Sequence, residues 1–149
     1  MQLFNNINED VYRAYVFWSS VLVVKMLVMS ILTGMQRFRK KAFVNPEDIA
    51  TQPKLKIKTD DPDVERVRRA HLNDLENILP FFVIGFFYIL SNPNPFIAVN
   101  LFRAVAVSRI AHTLVYAVVV IPQPARAIAW LIPYASSFYM AFNTILHFL

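Results

Sequence analysis

VERVRRAHLNDLENILPFF, residues 64–82, changes character midway. Glu65, Arg66, Arg68 and Arg69 crowd its first six positions, and His71, Asn73, Asp74 and Glu76 follow. Within a few residues the chain becomes apolar. A surface helix needs no such apolar end, and a plain membrane anchor needs no such polar start. The stretch therefore reads as one helix that straddles a membrane interface. Ionisable groups at membrane depth are costly and face a cavity or a partner.

The composition agrees with a membrane protein. Of 149 residues, 56% are hydrophobic and only 17% charged. A soluble domain carries about 25% charged residues. One small domain, residues 1–149, is expected. There is no cysteine, so no disulfide framework and no thiol-ligated metal are expected. Three histidines leave little for a metal site. Nor do His71, His112 and His147 fall at one depth on facing helices, as a haem would require. The lead MQLFNNINED is polar and acidic, unlike a signal peptide, so the first apolar segment is expected to be a permanent helix.

Four apolar segments organise the chain into an all-α bundle, with helices expected at about 11–36, 62–90, 96–121 and 125–148. About 20 apolar residues span a bilayer. The first, third and fourth segments are long enough alone; the second is not. Its upstream residues extend it. Asp61 can cap a helix, Pro62 suits its first turn, and Asp63 and Glu65 favour its N-terminal dipole. SNPNP (91–95) and IPQPAR (121–126) are turns. Asn45, Pro46, Glu47 and Asp48 start a short helix in the long first connection.

Charge sets the expected topology. Ten Lys or Arg lie between Arg37 and Arg69, and SNPNP has none. Basic loops stay cytoplasmic. The first connection and the IPQPAR turn then share the cytosolic side, and both chain ends face the lumen. The expected address is an endomembrane such as the endoplasmic reticulum.

That topology gathers polar groups at one face. Arg37 ends the first helix. Arg66, Arg69, Asn73 and Glu76 form one stripe of the second. His112 and Tyr116 lie four apart on the third, with Arg109 a turn deeper, and Arg126 opens the fourth. Several Arg and one Glu suit a ligand with two carboxylates and an ammonium. Arg offers carboxylate a bidentate fork, Glu76 can receive the ammonium, and Asn73 can bond a peptide group. Glutathione is such a ligand. Its thiol ionises near 8.5, as a free cysteine does, and nearby cations lower that value.

Plainer readings stand beside these. Arg66, Arg68 and Arg69 can pair with Asp63 and Glu65 or touch lipid phosphates. Asp48 suits a helix start, and Lys25 can snorkel or bridge helices. Arg103 snorkels toward the lumenal end, His147 is interfacial, and Pro133 kinks the fourth helix.

The stretch VERVRRAHLNDLEN, with FVNPED before it and RIAHTLVY after it, resembles the MAPEG family (membrane-associated proteins in eicosanoid and glutathione metabolism). The similarity runs from KMLVMS on the first helix to PQPARA at the fourth, and is nearest the family's microsomal glutathione transferases. The resemblance implies a four-helix subunit, a homotrimer, and glutathione bound between neighbouring subunits near the cytosolic face. It implies glutathione contacts at Arg37, Arg68, Arg69, His71, Asn73, Glu76, His112, Tyr116 and Arg126. Arg68 and His71 rest on the resemblance alone, because they lie off the stripe.

Three departures qualify the match. Ala127 stands where the family's prostaglandin E synthases carry Ser. Ile49 follows NPED, where the transferases carry a reactive Cys, so activation by thiol modification should be absent. The span from Tyr116 to Arg126 reads one residue longer than the family's.

The expected function is a membrane glutathione S-transferase acting on lipophilic electrophiles, with glutathione as co-substrate and reduction of lipid hydroperoxides as a second activity. Arg126, then Tyr116, would stabilise the thiolate. The expected partners are membrane lipid and two further copies of the chain, not nucleic acid. The expected location is the endoplasmic reticulum membrane, and the mitochondrial outer membrane besides. The alternatives are a prostaglandin E synthase-like isomerase using glutathione, and a non-enzymatic helix bundle.

Overall fold

The computed structural model describes residues 7–149, so residues 1–6 of the expected domain, the first part of its polar lead, lie outside it. Among the described residues the protein is all-helical, without strands. Its long helices are α1 (Glu9–Lys40), α2 (Pro62–Leu90), α3 (Pro95–Thr113) and α4 (Ala125–Phe148).

Each boundary has a local cause. The Asn8 side chain accepts the backbone N–H groups of Asp10 and Val11, so α1 begins two residues before the apolar run. It also runs past residue 36, until Lys41 turns left-handed at φ 51° and returns its N–H to Arg37 and Phe38. Asp61 caps α2 as its sequence position suggests, accepting from Asp63 and Val64 at 3.1 and 3.2 Å. The NPED start becomes a single 3₁₀ turn, Pro46–Ile49, in which the Asn45 side chain bonds Asp48 rather than a backbone N–H.

The third segment departs from the expected helix over 96–121. The α-helix stops at Thr113, a π turn covers Leu114–Val118, and the chain is extended at Val119. Val118, Val119, Val120 and Ile121 are β-branched and disfavour helix, and Pro122 pushes its predecessor out of the α region. The helix therefore ends about two turns early.

Helix α1 packs on α2 and α3, and α4 packs on α3 and α2, so α1 and α4 occupy opposite corners of the bundle. The main core joins Leu22, Ile78, Phe81, Tyr88, Phe102, Val105 and Met140. Helix α2 enters it through a buried stripe, Val67, Ala70, Asp74, Ile78, Phe81 and Gly85, in steps of three or four. Gly85 lets the Tyr15 ring lie against the backbone; a Cβ there would meet it at 2.9 Å. The Tyr15 hydroxyl then donates to the Phe82 carbonyl at 2.6 Å.

Three helices are long and apolar enough to cross a bilayer: α1, α2, and α3 with its π turn. At 29 residues, α2 would measure about 43 Å, so its charged first turns can project beyond a hydrocarbon core of about 30 Å. The sequence predicts four spanning helices, the second lengthened by its charged first turns, and α4 is the fourth. Helix α4 has the length but dilutes its apolar residues with Tyr134, Ser136, Ser137, Tyr139, Asn143 and Thr144. It continues through Pro133.

Ion pairs close the charged end. Lys40 of α1 meets Asp63 of α2 at 2.5 Å, and Lys58 meets Asp61 at 2.8 Å. The Lys58 ammonium holds the Asp61 carboxyl below its ordinary 3.8, helped by the N–H groups of Val64 and Asp63. A depressed carboxyl adds stability above its unfolded pKa and loses it as pH falls through the folded value. Thermal unfolding in detergent should therefore soften below about pH 4. Asp61→Ala should lower the midpoint by a few degrees at pH 7 and remove that share of the acid sensitivity.

Candidate functional site

A cavity of about 430 Å³ opens where the charged part of α2 meets the π turn and the start of α4. Small-molecule sites occupy about 300–1,000 Å³. Arg69, Asn73 and Glu76 line it from α2, His112 and Tyr116 from α3 and its π turn, and Arg126 from the first turn of α4. Six of the nine residues singled out in the sequence thus share one cavity.

Its chemistry is asymmetric. The Arg126 guanidinium stands over the Tyr116 ring, 4.6 Å from its centroid, a cation–π arrangement that fixes the charge at the cavity wall. The His112 ring meets the same tyrosine edge-on at 5.5 Å. Two arginines, one carboxylate, an amide, an imidazole and a phenol then face one space. The arginines suit carboxylates or a thiolate, and Glu76 suits an ammonium.

The other three predicted residues lie elsewhere in the subunit. Arg68 and His71 line a separate cavity of about 320 Å³ with Ser30 and Thr33, on the α1 side of Leu72. Arg68 also pairs with Glu65 at 2.6 Å. Arg37 sits in the last turn of α1 and donates to the Ala42 carbonyl at 3.3 Å. The reason is geometric: residues 68 and 71 point about a third of a turn away from the 69–73–76 face. Arg66, placed on the stripe by spacing, does not line the cavity either.

A buried charge cluster lies beside the site. Asp74 is fully buried and accepts from Lys25 of α1 and from Arg109 of α3. Arg109 Nη2 also donates to Asn73 Oδ1 at 3.0 Å. Arg109 is thus drawn inward, out of the cavity wall. Its Nε and Nη1, and Nδ1 of His112, are buried without a protein partner among the described residues.

The amino-acid sequence is matched by known proteins. The family model for MAPEG aligns with residues 15–146. The chain belongs to the MAPEG family. Human microsomal glutathione S-transferase 1 is 41% identical over 141 residues, 91% of this chain and 90% of that one. The bovine protein of that name is 44% identical over 140 residues, 91% and 89% of the two chains. Human prostaglandin E synthase is 48% identical over 103 residues, 69% and 68% of the two chains.

In this family member the sequence reading passed over several wall residues. Gln123 lines the cavity while its Oε1 accepts the Ala127 N–H at 3.1 Å, capping α4. No periodic pattern marks a residue in a proline-rich turn. Trp130 lines the cavity one turn beyond Arg126, a spacing that would have found it. Asp74 was equally legible, as the one carboxylate on an apolar stripe.

Removing the shared anion should expose the cost of the cluster. Asp74→Ala leaves Arg109 and Lys25 buried without a counter-charge, which costs about 3–5 kcal/mol when a buried pair is broken this way. Thermal unfolding in detergent should show that loss, and Asp74→Asn should recover part of it.

Proposed function

We propose that this protein is a membrane-bound glutathione S-transferase that conjugates glutathione to lipophilic electrophiles. The observation that carries the reading is the Arg126 guanidinium seated over Tyr116, in one cavity with Arg69, Asn73, Glu76 and His112. Transferase relatives aligning with about nine-tenths of both chains support it.

The roles follow from charge. Arg69 pairs with a glutathione carboxylate, Glu76 receives the ammonium, and His112 closes the wall. The thiol approaches Arg126. The cation stabilises the thiolate, the Tyr116 hydroxyl donates to the sulfur, and the thiol proton leaves to water. The thiolate attacks the electrophilic carbon of an aryl halide, an S–C bond forms, and halide departs. With a lipid hydroperoxide it attacks the terminal oxygen, and the O–O bond breaks to leave the alcohol. A second glutathione then converts the sulfenic acid to disulfide and water.

The lipophilic partner needs a path from the bilayer. A third cavity, of about 300 Å³, shares Glu76 with the first and continues between α2 and α4 past Pro80, Ile84 and Phe138. Its apolar walls suit acyl and aryl groups.

Arg37, Arg68 and His71 reach glutathione across a subunit boundary in a homotrimer. Supporting this, all three sit on the α1 side of the subunit, away from the cavity. Helix α1 also turns Phe17, Val24, Leu27 and Ile31 outward, toward lipid or another copy. The trimer resides in the endoplasmic reticulum membrane, with the cavity cytosolic, and in the mitochondrial outer membrane besides. The basic residues between Arg37 and Arg69 support that orientation.

The relatives named as prostaglandin E synthases support a second reading, an isomerase that uses glutathione without consuming it. Against it stands Ala127, a cavity residue without a hydroxyl. Product analysis separates the two, since only conjugation consumes glutathione.

Two experiments test the proposal. Conjugation of an aryl halide by detergent-purified protein should fall about a hundredfold in kcat for Arg126→Ala, while Arg69→Ala should raise KM for glutathione about tenfold. A wild-type protein that isomerises an endoperoxide but forms no conjugate would move the assignment to the isomerase. Mixed trimers test the shared site: Arg37→Ala and Arg126→Ala subunits, each inactive alone, should recover activity when co-expressed. No recovery would place Arg37 outside the site.

A further inference from the structure

We infer that Arg109, held by Asp74, is a positioning residue that sets the polarity of the site at Asn73. This rests on the reading of the main cavity as the glutathione site. It concerns a cluster that lies outside that cavity and that the proposed chemistry does not use.

Asn73 bridges two environments. It lines the cavity, yet its Oδ1 accepts from Arg109 Nη2 at 3.0 Å. Arginine has only donors, so the oxygen of the amide must face Arg109. The amide nitrogen is then what Asn73 presents to the cavity, and it donates to no protein group among the described residues. Asn73 thereby becomes a one-way donor. Its ligand partner must be an acceptor: a peptide carbonyl or a carboxylate.

Arg109 cannot turn away, because the cluster fixes it. It is fully buried, and Asp74 beside it is fully buried too. Asp74 Oδ1 takes Arg109, and Asp74 Oδ2 takes Lys25 from the opposite helix. Three helices therefore converge on one carboxylate next to Asn73. A freely rotating amide would offer either end to a ligand; this one cannot.

The discriminating variant is Arg109→Lys. It keeps a cation for Asp74, but the lysine side chain is one bond shorter than the path to Nη2, so its ammonium cannot reach the position from which Arg109 Nη2 donates to Asp74 and Asn73 together. Glutathione binding to detergent-purified protein, measured by calorimetry, should weaken about tenfold in Arg109→Lys and in Asn73→Ala, the size of one hydrogen bond. The double variant should weaken no further, because both single changes remove the same contact. In turnover, KM for glutathione should rise far more than kcat falls, and the melting temperature of Arg109→Lys should stay near wild type.

Additive losses, or a weakened Asn73→Ala beside an unaffected Arg109→Lys, would overturn the inference. A parallel fall in kcat and melting temperature would do the same, by showing Arg109 to be merely structural. If wild type fails to bind glutathione, the reading of the cavity fails instead. The side-chain amide signal of Asn73 in ligand-free, ¹⁵N-asparagine-labelled protein then decides the clamp. A shift of that signal in Arg109→Lys supports it, and an unchanged signal refutes it.

Discussion

The bundle turns on one carboxylate. Asp74 is buried between Lys25 of α1 and Arg109 of α3, and it belongs to α2, so a single anion ties three helices. Apolar packing alone gives little register inside a bilayer, because lipid tails solvate leucine as well as another helix does. A buried ion cluster has no such substitute. It is satisfied in one mutual arrangement, and sliding any of the three helices by a turn would strand a charge. The cluster lies between two apolar groups, the main core around Phe81 and Phe102 and a smaller one at Met29, Val67 and Ala70.

Helix α4 is joined differently, and this shapes the site. It meets the core through Met140 and the Tyr139 ring against Tyr88, without a charge of its own in the cluster. At its start Arg126 must come to Tyr116. The π turn and the proline-rich connection make that possible. They end α3 early, let the chain run extended at Val119, and return it so that the first turn of α4 overlooks the phenol. A straight α3 continued to residue 121 would have carried the chain away from this position. The cavity is thus built between a rigid wall, α2 pinned by its ion cluster, and a wall hung on aromatic contacts.

The opening stretch disclosed more than its length suggests. The shift from charged to apolar identified a helix crossing an interface, and the i, i+4, i+7 spacing placed Arg69, Asn73 and Glu76 on one face. What it did not disclose was Asp74, although the same periodicity applied to Val67, Ala70, Ile78 and Phe81 puts that carboxylate in the core. A stripe of polar residues marks the outer face of the helix, whereas a single polar residue on the apolar face is visible only when that face is traced by itself. Arg109 was accordingly placed on the polar face a turn deeper than His112, without the buried partner that draws it inward.

The sequence by itself determined the all-helical class, the start of α2 at Asp61 and Pro62, the turns at SNPNP and IPQPAR, and the family, because these depend on local caps, prolines, apolar periodicity and a contiguous motif. Tertiary structure alone decided that Lys25 and Arg109 converge on Asp74, and that Arg126 rests on Tyr116. Those outcomes depend on the angles at which helices meet. Such angles are set by packing between residues far apart in the chain, which no local pattern records.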